Sequence, residues 1–216
     1  MSGEGNREAP ALANLKRFLG RKAARSGEAC DLCGVPIADP HSHVVALETR
    51  RLLCSCRACY LLFTHQGAAA GRYKAVPGRY RSLQDARVSD EQWDTLQIPV
   101  GMAFFFVNSR LGRTVAFYPS PAGATESELP LGTWAEIVAA NPSLGTLEPD
   151  VEALLARKTP RGFEGYLAPI DSCYELVGII RQHWKGFDGG DEARARLGAF
   201  FDGLRERCRE SAPWAS

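Results

Sequence analysis

After Pro10, the apolar residues Leu12, Leu15, Phe18 and Leu19 recur at helical spacing, which predicts a short amphipathic helix behind a polar tail and closing near Gly27. Two short β-rich runs follow, at residues 43–47 and 51–54. CYLLF then carries apolar residues onward as a helix. The segment QGAAAGRYKAVPGRYRS breaks all periodicity with Gly, Pro and Arg, and predicts an exposed basic connector over residues 66–88.

Beyond it the pattern becomes that of a larger folded unit. Ser89 stands as an N-cap before the acids of SDEQWDTL, predicting a short helix. IPVGMAFFFV and TVAFY are apolar runs separated by the turn residues NSRLGR, so they read as an antiparallel hairpin. PSPAGATES reads as a loop rich in small hydroxylated residues, and Thr133 as the cap of a helix ending before Pro142. Pro149 opens a further predicted helix with Val151, Leu154 and Leu155 as its buried stripe. Residues 163–170 read as a third strand. Asp171 is expected to cap a helix reaching Trp184, with Leu176, Val177, Ile179 and Ile180 on its apolar side, and a last helix covers 191–209.

Strand pairs mixed with helices, without βαβ alternation, predict the α+β class. The expected organisation is a tail and short helix over 1–27, a small finger over 28–65, the connector over 66–88 and an α+β domain over 89–210, its sheet short and antiparallel.

Composition narrows the function classes. Lys and Arg (26) nearly balance Asp and Glu (25), so overall charge does not favour a nucleic-acid partner. Locally, Arg50, Arg51, Arg57, Arg72, Lys74, Arg79, Arg81 and Arg87 face only Asp85, which keeps a nucleic-acid surface as an alternative. The tail MSGEGNREAP is unlike a secretory leader, and the longest apolar stretch, 98–107, is too short to span a bilayer. A cytoplasmic location with no membrane association is the expectation. In that reducing setting, five cysteines between residues 30 and 59 read as metal ligands rather than disulfides.

The spacing sharpens this. CDLC places Cys30 and Cys33, and CRAC places Cys56 and Cys59, as two C-x2-C pairs. Each tight turn aims two thiolates at one point, and two such turns complete the tetrahedron of a closed structural zinc site. Gly34 follows the first pair where a knuckle needs positive φ. The second pair falls in the first turn of the CYLLF helix, whose N-terminal partial charge favours thiolates. Knuckle, hairpin and ligand-bearing helix make a treble-clef-like finger. Cys54 is expected as a buried thiol beside the site, and His41 and His43 as surface or neighbouring residues. Four thiolates leave no position for substrate or water, so the zinc is expected to stabilise the fold and not to catalyse. Iron, as a rubredoxin-like ion or an iron–sulfur cluster in an electron carrier, is the alternative.

No catalytic set accompanies the cysteines. Cys173, near a helix start, has no histidine beside it in sequence and is expected to be buried and structural; Cys208 carries no mechanism. Phosphate-loop, dinucleotide and H-E-x-x-H signatures are absent. An HNH-type nuclease would need His43 as its base, yet Ser42 occupies the place of the usual acid. The expectation is a protein that is not an enzyme.

CDLCG, HSHV, RLLCSCRACYLLF, FYPSPAGATES and CYELVGIIRQHWKGFDGG together resemble an uncharacterised family of small Cys-rich accessory proteins encoded beside actinobacterial-type NiFe-hydrogenase genes. The resemblance runs from about Leu15 to Arg205. It implies a role in hydrogenase assembly, stability or electron-transfer partnering through contacts with a hydrogenase subunit or maturation factor. It also maps a cysteine motif onto Cys30, Cys33, Cys54, Cys56 and Cys59 and a histidine pair onto His41 and His43, which leaves open a site using more than four of these residues.

Overall fold

The computed structural model describes residues 27–210 except 66, 84, 99, 121, 129, 161 and 186–188; the helix expected over residues 10–27 lies outside that range. The protein is α+β, with two antiparallel sheets. The smaller, of strand order β2-β1-β3, combines β1 (Ser42–Ala46), β2 (Arg51–Ser55) and β3 (Tyr73–Ala75); α1 (Arg57–Leu62) follows β2 directly. The larger has the order β4-β9-β8-β5-β6-β7, from β4 (Arg81–Ser82), β5 (Met102–Asn108), β6 (Arg113–Ser120), β7 (Gly123–Ser127), β8 (Glu152–Thr159) and β9 (Gly162–Pro169).

Helices cover both faces of the larger sheet. On one side α4 (Asp171–His183) and α5 (Gly190–Glu210) bury Leu176, Ile180, Phe200, Phe201 and Leu204 against Phe104, Ala153, Leu155 and Tyr166. On the other, α2 (Asp90–Thr95) and α3 (Leu131–Ala140) bring Trp93, Trp134 and Ile137 onto Phe105, Ala116, Leu154 and Ala156. Phe105 and Trp134 stack with ring centroids 4.3 Å apart.

This two-sided burial corrects the helix expected from Pro149. Residues Val151, Leu154 and Leu155 belong to the entry and body of a central strand, β8, paired with β5 on one edge and β9 on the other. A strand buried on both faces loses polar alternation, and an unbroken apolar run then imitates a helical stripe. PSPAGATES is likewise no loop: β6 runs to Ser120, and Gly123, at φ 124°, opens the edge strand β7. Two caps differ as well. Pro130 precedes α3 with no side-chain cap, leaving Thr133 inside the helix, and Asp171 is the first residue of α4 rather than its cap. Ser89 does cap α2, in a reciprocal box with Gln92.

The basic stretch over residues 66–88 feeds both sheets, giving β3 to the smaller and β4 to the larger. Three of its cations are tied down. Lys74 donates to Pro149 O (2.8 Å) and pairs with Glu148 (3.1 Å), Arg81 donates to Ser143 O and Thr146, and Arg79 grips Glu152, whose side chain is 1% exposed. Val45 and Val76 extend the α4–α5 core into the smaller sheet.

Candidate metal centre

The first knuckle is a tight turn closed by Gly34 N–H donating to Cys30 O (2.7 Å) and Cys30 N–H to Val35 O (2.8 Å). Gly34 sits at φ 75°, where a side chain would strain the turn. The second pair sits at the start of α1. Cys56 is its N-cap, with Sγ accepting from Cys59 N–H at 3.4 Å, so both sulfurs stand at the electropositive helix end.

These two turns bring Cys30, Cys33, Cys56 and Cys59 together, their sulfurs all within 4.8 Å of one another. Cys33 and Cys56, from opposite arms, are 3.8 Å apart and remain free thiols. A tetrahedral ion with metal–sulfur bonds of about 2.3 Å spaces its ligands by about 3.8 Å, so the cluster has the dimensions of a four-thiolate metal site.

Its electrostatics point the same way. Burial opposes ionisation of Cys30, but backbone N–H groups of Cys56, Cys33 and Leu32 outweigh it and lower its pKa to about 6. Burial raises Cys59, and the sulfurs of Cys33, Cys56 and Cys30 add to the effect, pushing it to about 12. Crowded sulfurs therefore cannot all ionise unaided. A bound cation is what would balance four thiolates at this spacing.

A second group lies beside the first. His41, His43 and Cys54 present ligand atoms within 4.8 Å of one another. His41 immediately precedes β1 and His43 is its second residue, and Cys54 pairs directly with His43 across the β1–β2 ladder, so His43 and Cys54 share one face and His41 stands beside them. His43 Nδ1 lies 2.9 Å from Asp171 Oδ2 at the head of α4. Cys54 N–H donates to Asp31 Oδ2 at 2.7 Å, tying β2 to the first knuckle. Asp171 and Asp31 escape sequence reasoning; Asp171 is 128 residues from His43, and no local pattern joins them.

Elsewhere the thiols are buried. Cys173 is buried in the α4 core, where desolvation and then Asp171 hold its pKa well above the ordinary thiol value, and burial also raises Cys208. His183 is engaged with Glu192 at 2.9 Å. A cavity of about 520 Å³ opens between the β1–β2 hairpin, β5, β6 and α4, walled by Leu52, Phe104, Phe106, Phe117 and Val177, with Arg50 and Arg181 at its edges. Among the described residues, no helix is long and apolar enough to cross a membrane.

A model of a family of unknown function, DUF5947, matches residues 29–208, and the chain belongs to that family. No curated protein and no solved structure matches the chain.

Proposed function

We propose that this protein is a zinc-binding accessory protein that acts through protein contacts in the cytoplasm, with the four cysteines Cys30, Cys33, Cys56 and Cys59 holding one structural zinc in a treble-clef-like finger. The observation that carries the reading is the convergence of four free thiols from a knuckle and a helix start to within 4.8 Å of one another. Four sulfur donors match a borderline-soft ion that needs no open position, and bound zinc would supply folding energy to the finger and leave it without chemistry of its own.

Contact with a protein is favoured by what the finger exposes. Helix α1 buries none of its residues, and Leu61 and Leu62 are 47% and 64% exposed, with Val35 of the first knuckle 45% exposed. A partner surface would cover such residues. The basic stretch supports a nucleic-acid role less well, because Lys74, Arg79 and Arg81 are spent on internal ion pairs and hydrogen bonds. The resemblance to proteins encoded beside NiFe-hydrogenase genes makes a hydrogenase subunit or maturation factor the proposed partner.

The test is a tagged pull-down from hydrogenase-expressing cells, run in parallel with a Leu61→Asp, Leu62→Asp double variant. Recovery of a hydrogenase or maturation protein by the unaltered chain alone supports the reading. No such protein in either lane counts against the partner, and elemental analysis giving iron, with visible colour under anaerobic purification, replaces zinc by an electron-carrying centre.

A further inference from the structure

His41 poses a problem that the four-cysteine site does not resolve. Its side chain is only 11% exposed, both ring nitrogens are buried, and neither makes a hydrogen bond. The Glu28 carboxylate lies 3.3 Å from Nδ1 but outside hydrogen-bonding geometry. A buried imidazole with two unpartnered nitrogens destabilises the fold unless something binds there. Its neighbours are themselves potential ligands: the His43 ring is 4.8 Å away, centroid to centroid, and the Cys54 sulfur completes a trio within 4.8 Å. Asp171 accounts for His43, which it joins to α4, whereas His41 has only the Glu28 carboxylate near Nδ1 and no hydrogen-bond partner at Nε2.

We propose that His41, His43 and Cys54 form a second metal site, separate from the four-cysteine centre, that takes a borderline divalent ion of the zinc class. Two imidazoles and one thiolate exclude magnesium and calcium, which take oxygen ligands, and suit zinc or cobalt(II). Ligands on such an ion stand about 3.3–3.8 Å apart, so atoms already within 4.8 Å of one another need at most small side-chain rotations to close the site. Asp171 orients the pocket: its carboxylate occupies His43 Nδ1, which leaves Nε2 as the ligating nitrogen in a carboxylate–histidine–metal arrangement. Asp31, accepting from Cys54 N–H, holds the backbone that carries the thiolate.

Three protein ligands leave a fourth position on the ion. That separates this site from the saturated one beside it, since water or a donor atom from another molecule completes the coordination. The site also lies where the smaller sheet meets α4, because His43 on β1 and Asp171 on α4 are joined directly. Binding of the ion therefore fixes the His43 ring that Asp171 ties to α4.

Native mass spectrometry of the full chain reconstituted with zinc is the decisive experiment. Two ions per chain are expected, falling to one in His41→Ala and in Cys54→Ser. Cobalt(II) retained by those variants should show the intense sulfur charge-transfer bands of a four-thiolate centre, which also reports that the finger is folded. Asp171→Asn should keep two ions but bind the second about 10–100-fold more weakly. A single ion that both substitutions leave in place overturns the inference, as does a second ion that survives both substitutions. Cys33→Ser removes the other ion, so failure of the four-cysteine reading is recognised separately.

Discussion

The finger and the six-stranded region hold themselves together by different means. The larger sheet is sandwiched between two helical layers, and residues such as Phe105, Leu154, Leu155 and Phe201 are almost wholly removed from water. The finger has only a three-stranded sheet and a helix that buries nothing. Its compensation is the cluster of sulfurs at one end and the ties to Pro149, Glu148, Asp171 and Glu152 at the other. Small units that cannot bury enough apolar surface rely on cross-links, and a metal held by the four sulfurs would be that cross-link here.

Removing the proposed zinc is the strongest way to break this contrast. Zinc contributes on the order of 10–16 kcal/mol to small finger folds. Cys33→Ser, or a strong chelator, should therefore release amide protection over residues 28–65 in hydrogen exchange while β8 and β9 stay protected. Simultaneous loss in both regions would show the larger sheet to depend on the finger. Truncating the core should do the reverse: Phe105→Ala removes the ring stacked on Trp134 and should cost about 3–5 kcal/mol in denaturant unfolding, with the metal still bound below the transition.

Glu152→Ala tests the seam between the two. It strands Arg79 and the Glu148 N–H that its carboxylate receives, and should destabilise by roughly 3 kcal/mol, moderated because the Arg79 side chain is 55% exposed. Hydrogen exchange should show the loss concentrated where residues 76–80 meet β8. The smallest effect belongs to Ser89→Ala, which deletes the reciprocal cap of α2 and should cost about 1 kcal/mol, read as a lowered midpoint with unchanged metal content.

Local rules were the legible part. C-x2-C spacing, Gly34 after the first pair, the Ser89 cap and the turn residues between β5 and β6 each act within a few residues, so the sequence displays them directly. The readings that misled were those in which burial on two sides overrode local periodicity, as in β8, or in which a loop-like composition was recruited as an edge strand, as in β7. Asp171 illustrates a third kind: a residue suited to capping a helix serves instead as the partner of a distant histidine.

What the amino-acid order determined by itself is the chemistry available to the finger: four thiols in two short-range clamps, two histidines two residues apart, and turns that aim the thiols. Only the tertiary structure decided that the clamps converge, that Cys54 pairs with His43, and that an aspartate from the far end of the chain stands behind that histidine. Side-chain type and spacing along a turn or strand are local properties, whereas convergence depends on how sheets and helices bury their faces against one another.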